Sequence, residues 1–119
     1  MKIKYISIKV SDINKSRYLY EKILNFKVID EYESDTINVL MLNDGYINLE
    51  LIEANSDDET TGLNNLGIEV DDIKEAVNKL ENEGMEFISK AYLNSDYNVA
   101  TFKDFDNVEL TLIEKEKGD

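Results

Sequence analysis

Two stretches of this chain repeat each other sixty residues apart. Ile6-Ser7-Ile8-Lys9-Val10-Ser11-Asp12-Ile13 returns as Leu66-Gly67-Ile68-Glu69-Val70-Asp71-Asp72-Ile73, and Asn48-Leu49-Glu50-Leu51 returns as Asn107-Val108-Glu109-Leu110 at an offset of fifty-nine. In 119 residues that means two copies of one unit. A fixed-offset repeat demands an architecture that two similar halves can build together. It also aligns positions across the halves, Tyr5 with Asn65 and Glu50 with Glu109.

Alternation from Lys4 to Val10 sets Ile6, Ile8 and Val10 on one face and Tyr5, Ser7 and Lys9 on the other, the period-two pattern of a half-buried strand. Asp12 is placed to cap a helix over residues 13–24, in which Ile13, Tyr20, Ile23 and Leu24 recur at helical spacing. Asn25 tolerates the left-handed position that ends it. Phe26 to Tyr32, Thr36 to Leu42 and Tyr46 to Glu53 follow as strands, separated by the turn sequences Glu33-Ser34-Asp35 and Asn43-Asp44-Gly45. The first module, about residues 1–53, therefore reads βαβββ.

A polar, acidic connector over residues 54–63 leads to a second module over about 64–114. Leu66 to Val70 reads as a strand, and Asp72 caps a helix carrying Ile73, Val77 and Leu80 that Gly84 ends. Asn25 matches Gly84, so the offset drops to fifty-nine inside this helix and the second copy is one residue shorter there. Met85 to Ser89, Asn98 to Lys103 and Val108 to Ile113 complete a second βαβββ, and residues 115–119 form a charged tail. One helix covers one face of each sheet. The other face calls for a second module, a second chain or a ligand, so the fold class is α+β, with two βαβββ modules forming curved mixed sheets around a cleft.

The formal charge of −13 opposes sequence-independent nucleic-acid binding, which depends on Lys and Arg neutralising phosphates. Arg17 is the only arginine, so a highly anionic substrate is disfavoured as well. There is no cysteine or histidine for a disulfide or structural zinc, and no apolar run long enough to cross a membrane. The N-terminal Met1-Lys2-Ile3-Lys4-Tyr5 lacks a signal-peptide core. A single cytoplasmic domain is the expectation.

The pattern Ile6-x-Ile8-x-Val10-x-Asp12, followed by Ser16-x-x-Leu19-Tyr20-x-x-Ile23-Leu24-Asn25-Phe26, resembles the opening of the vicinal oxygen chelate superfamily, which includes glyoxalase I, bleomycin-resistance proteins and extradiol dioxygenases. Asn65 to Asp72 resembles the opening of that family's second module. Asp104-Phe105-Asp106-Asn107-Val108-Glu109-Leu110 resembles a shortened form of its turn-and-glutamate signature. The resemblance implies a metal site built from a histidine in the first strand and a glutamate in the last strand of each module. Glu50 and Glu109 match the glutamates, while Tyr5 and Asn65 stand where histidines are expected. Amide and phenol are weak replacements for imidazole, so no tightly held cofactor is expected, although an oxygen-only magnesium or calcium site is conceivable.

Strand alternation places Tyr5, Ser7, Lys9, Tyr46, Asn48, Glu50 and Ile52 on one face, and Asn65, Gly67, Glu69, Glu109, Thr111 and Ile113 on the corresponding face of the second module. Converging Glu50 and Glu109 would share a proton, pair with Lys9 or recruit a cationic ligand. The resulting expectation is a homodimer that binds a small, basic or aromatic, drug-like molecule through Tyr5, Ser7, Lys9, Tyr46, Asn48, Glu50, Asn65, Glu109 and Thr111, as bleomycin-type antibiotic-resistance proteins do. The alternatives are a glyoxalase-type lyase or a dioxygenase using Glu50 and Glu109, and a dimeric interaction module with a vestigial site. Tyr18, Tyr20, Phe26 and Phe87 read as packing residues, and Tyr92 to Tyr97 as a loop.

Overall fold

Alternating apolar residues lay down both modules in the computed structural model, which describes residues 1–55, 59–93 and 98–115. The first contains β1 (Lys2–Val10), α1 (Ile13–Arg17), a π-helix (Tyr18–Ile23), β2 (Lys27–Glu33), β3 (Asn38–Asn43) and β4 (Asn48–Glu53). Its strands lie in the order β2-β3-β4-β1, with β1 parallel to β4 and the other pairs antiparallel. Leu40, Leu42, Leu49, Leu51 and Val10 are buried on one face, where Ile13, Tyr20 and Phe26 pack against them. Full burial of each leucine contributes about 1.5–3 kcal/mol, so this face holds the module together.

The second module repeats the plan with β5 (Gly62–Val70), α2 (Ile73–Asn82), β6 (Phe87–Lys90), a 3-10 turn (Ala91–Leu93), β7 (Val99–Lys103) and β8 (Glu109–Glu114). The order is β5-β8-β7-β6, and β5 runs parallel to β8. Its core is Val70, Ile73, Ala76, Val77, Ala100, Phe102 and Leu112, with the Phe87 ring tilted against Phe102 at a centroid distance of 5.1 Å. The chain divides into two compact units, Tyr5–Asn64 and Met1–Lys4 together with the chain from Asn65. The first four residues belong to the second unit, where Lys2 and Lys4 both reach Glu69.

In each module a glutamate at the end of the last strand holds the start of the helix. Glu53 Oε2 accepts from the Ile13 N–H at 2.8 Å, and Glu114 Oε2 accepts from the Ile73 N–H at 2.9 Å. Asp12 accepts from Asn14 and Lys15, and Asp72 from Glu75, so both expected N-caps form. These carboxylates satisfy N–H groups that a helix start leaves without partners, at the end where negative charge is favoured.

The structure corrects several expectations. Residues 13–24 are not one α-helix: the α-helix stops at Arg17 and a π-helix runs from Tyr18 to Ile23. This is where the first copy is one residue longer than the second, and the wider π turn absorbs that residue between two fixed ends. Asn25 does take the left-handed conformation, at φ 61°, as does Gly84 at φ 95°. Tyr46 and Ile47 fall in a turn rather than in β4, because Asp44 Oδ1 accepts from both of their N–H groups. β5 begins at Gly62, inside the expected connector, and Tyr92 lies in the 3-10 turn. The rest of the Tyr92–Tyr97 loop and residues 116–119 of the tail lie outside the described residues. Tyr20 and Phe26 do pack, with rings 5.7 Å apart, but Tyr18 is 63% exposed.

Replacing Glu114 by alanine removes the acceptor for the Ile73 N–H and is expected to cost about 1 kcal/mol, read as a lower urea midpoint at unchanged slope. Glu53→Ala should cost more, because Glu53 also accepts from the Asn38 side chain. An unchanged midpoint in both variants would mean that water replaces the cap at no cost.

Candidate functional site

The sheet face opposite α1 carries the polar residues picked out by the sequence. In the first module the pairing of β1 with β4 sets Tyr5 beside Asn48, Ser7 beside Glu50 and Lys9 beside Ile52. Ser7 is 1% exposed, and its hydroxyl donates to Glu50 Oε1 at 2.9 Å. Asn64 Nδ2 in turn donates to Ser7 Oγ at 3.2 Å, so a donor chain from Asn64 through Ser7 ends on the half-buried Glu50 carboxylate. Hydrogen bonds to an ionised acceptor are the strong ones, and this pair orients the carboxylate. Lys9 does not pair with Glu50. Its ammonium lies 3.6 Å from Glu59.

Asn48 accepts from the Asn43 side chain at 2.9 Å, which ties the start of β4 to the end of β3. Met41 stands opposite Glu50 in the β3–β4 register and adds an apolar neighbour that sequence reasoning did not include. Tyr46 is 92% exposed at the turn leading into β4. Asn64 was also missed, since it sat in a segment read as lying between connector and strand.

In the second module Asn65 Nδ2 donates to Thr111 Oγ1 at 3.0 Å. The register here changes the alignment of the two copies. β1 and β4 pair Ser7 with Glu50, whereas β5 and β8 pair Gly67 with Thr111. The structural counterpart of Glu50 is therefore Thr111, and Glu109 lies one side-chain repeat earlier on β8, opposite Lys103. The turn before β8 accounts for one of the two positions. Between paired residues it holds five residues, Asp104 to Val108, against four in the first module, Asp44 to Ile47, and Asn107 takes φ 66° to close it. A signal for this was present in the sequence: Leu51-Ile52-Glu53 recurs as Leu112-Ile113-Glu114, at an offset of sixty-one.

Glu69, on the same face as Asn65, is neutralised locally. Lys4 Nζ lies 3.2 Å and Lys2 Nζ 3.7 Å from its carboxylate. The hydrogen bond from Lys4, aided by the charges of Lys2 and Lys4, holds the Glu69 carboxyl below the usual range, against the opposing effect of desolvation. No such cation meets Glu50 among the described residues.

These groups do not fit a firmly held transition metal. The chain has no histidine, and among the described residues no three Asp or Glu side chains gather closely enough to hold an ion. Of the positions expected to stand for ligands, the Asn65 amide is engaged with Thr111, and Glu50 is engaged by Ser7.

Residues 5–101 match the family described as Glyoxalase/Bleomycin resistance protein/Dioxygenase superfamily. No curated protein matches the sequence. Among solved structures, a hypothetical protein from Bacillus halodurans C-125 is similar at 20% identity and a TM-score of 0.76, over 99% of this chain and 96% of that one. Methylmalonyl-CoA epimerase from Mycobacterium tuberculosis is similar at 16% identity and 0.72, over 98% and 89%. A triple mutant of 4-hydroxymandelate synthase from Streptomyces coelicolor is similar at 16% identity and 0.79, over 98% of this chain and 38% of that one. At these identities the likeness shows the shared fold of two βαβββ modules.

The carboxyl of Glu69 is expected to titrate below an ordinary glutamate in an NMR pH series, and Lys4→Met should move its midpoint up. A depressed folded-state pKa stabilises the fold above the unfolded value and loses that contribution as pH falls through the folded one. Acid sensitivity below the ordinary carboxylate range should therefore shrink in Lys4→Met. A Glu69 midpoint that Lys4→Met leaves unmoved would remove the ion pair as its cause.

Proposed function

The chain belongs to the Glyoxalase/Bleomycin resistance protein/Dioxygenase superfamily, and from that premise we propose that it binds a small organic molecule carrying a basic group, gripped by Glu50, without a firmly held metal. One observation carries the reading. Glu50 is half buried and oriented by Ser7, and no lysine or arginine among the described residues is within ion-pair distance of it. A carboxylate partly withdrawn from water without a countercharge gains from a cation beside it.

Surrounding groups suit a flat or aromatic cation. Tyr5 shares the face of Ser7 and Glu50, Met41 adds a polarisable apolar contact, and Tyr46 stands exposed at the head of β4. Aromatic rings attract cations over their faces, and methionine adapts to irregular ligands. Asn48, its side chain held by Asn43, adds a fixed polar contact. Sequestration of a basic drug, in the manner of bleomycin-resistance proteins, is the use this chemistry fits. A homodimer is the assembly we infer, supported by the apolar exposure of Tyr18, Leu19, Ile23 and Leu24.

Other readings have less support. The similarity to methylmalonyl-CoA epimerase raises binding of an anionic thioester. Here the only arginine is tied to Glu21 and Glu31, and the chain's −13 charge repels such a substrate. Lyase or dioxygenase chemistry of the metal-assisted kind lacks its donor set in this chain.

A thermal-shift panel of basic aromatic compounds and their neutral isosteres tests the proposal. A cation at a hundredfold excess over its Kd should stabilise the protein by about 2.7 kcal/mol, with the neutral isostere far behind. Glu50→Gln keeps an oxygen to accept from Ser7, so the free protein should change by less than about 1 kcal/mol while cation binding weakens at least about tenfold. Equal stabilisation by neutral and cationic members, or full retention in Glu50→Gln, would sink the idea.

A further inference from the structure

Lys4 and Asn64 stand sixty residues apart, at equivalent places in the repeat. Lys4 meets the Glu69 carboxylate with an ammonium at 3.2 Å. Asn64 brings a neutral amide instead, and donates it to the Ser7 hydroxyl at 3.2 Å. The first arrangement cancels a charge. The second transmits a hydrogen-bond direction to Glu50 and leaves the charge in place.

A serine hydroxyl has one hydrogen and two lone pairs. With Asn64 Nδ2 donating into Ser7 Oγ, that single hydrogen is committed to Glu50 Oε1, 2.9 Å away. Each bond in such a chain polarises the next. Ser7 is 1% exposed, so water does not compete for the hydrogen, and Oε1 is turned inward onto it. Glu50 Oε2 receives no hydrogen bond from the described residues. It is not sealed either, because the one buried side-chain oxygen or nitrogen without a partner among them is Asn38 Oδ1. Glu50 thus offers one oxygen to a ligand and keeps the other for its own module.

Resting on the reading that Glu50 grips a cation, we propose that Asn64 is a positioning residue for it, and that the carboxylate it orients through Ser7 selects a protonated amine over a guanidinium or amidinium. An ammonium aims an N–H at a single oxygen and is served by Oε2 alone. A guanidinium or amidinium draws its advantage from a two-point fork onto both carboxylate oxygens. Here the second point is occupied by Ser7. To complete the fork, such a head group has to displace a hydroxyl that Asn64 holds in place.

Benzylamine, benzylguanidine and benzyl alcohol share one aromatic body, and the first two are cations at neutral pH. In NMR titrations of the isotope-labelled protein, benzylamine should give saturable shifts at Ser7, Glu50 and the Asn64 side-chain amide. It should bind at least about tenfold more tightly than benzylguanidine, the worth of one charge-assisted hydrogen bond. Ser7→Ala frees Oε1 and should bring the two cations within about threefold of each other or invert their order. Asn64→Leu keeps the bulk, removes the donor and should shrink the preference in the same direction. A merely structural role would weaken both cations together and leave their ratio unmoved. Equal binding of the two cations, with both lost in Glu50→Gln, would overturn the inference and leave the cation site standing. Cations held no better than benzyl alcohol would overturn both. A preference for benzylamine that Ser7→Ala and Asn64→Leu leave intact would remove the Asn64–Ser7 chain as its cause.

Discussion

Each module is closed by one non-local hydrogen bond, from the first N–H of its helix to a glutamate that ends its last strand. The partners are 40 residues apart for Ile13 and Glu53 and 41 for Ile73 and Glu114. The bond joins the crossover after the first strand to the hairpin made last, and it acts where β1 meets β4 and β5 meets β8 in parallel. With Asp12 and Asp72 as local caps, two carboxylates serve each helix start. The pattern of buried apolar residues on β3, β4, β7 and β8 decides which face the helix covers, and the glutamates decide where along that face it begins.

Much of this was legible in the chain. Period-two alternation located the strands, Asp12 and Asp72 marked the helix starts, and Asn25 and Gly84 marked the ends through their tolerance of positive φ. The repeat carried the topology. Its details misled where a one-residue change had to be absorbed by backbone geometry. A length difference in the helix could be counted from the sequence, but not that it would become a π-helix over Tyr18–Ile23. The echo of Asn48-Leu49-Glu50-Leu51 in Asn107-Val108-Glu109-Leu110 was real as sequence and false as structure, because the strand register sets β8 two positions away from it, one of them contributed by the longer turn. A two-residue shift preserves alternation, so hydrophobic patterning was blind to it. Only the strand-end glutamates, fixed by their helix contacts, revealed the register.

That register makes the two modules chemically unlike. One presents Glu50 beside Ser7, and the other presents Thr111 beside Gly67, with its hydroxyl taken by Asn65. A symmetric ligand set is therefore not what the repeat supplies at these positions. Glu69 and Glu59 are met by lysines, which leaves Glu50 as the carboxylate on the first module's face that is held by a neutral donor.

The strongly acidic composition gains a different meaning in this light. A charge of −13 invites a reading as solubility alone, yet Asp12, Asp44, Glu53, Asp72, Asp104 and Glu114 all accept from backbone N–H groups at helix starts and turns. Without proline in the chain, turns and helix starts are specified largely by such side-chain acceptors. Acidic residues are thus the fold's stock of acceptors, and the informative positions are those whose acceptors have no charged or backbone donor. Glu50, on the open face of the first sheet, is where that accounting leaves a deficit of charged donors. A ligand bearing N–H groups and positive charge is what would close it there.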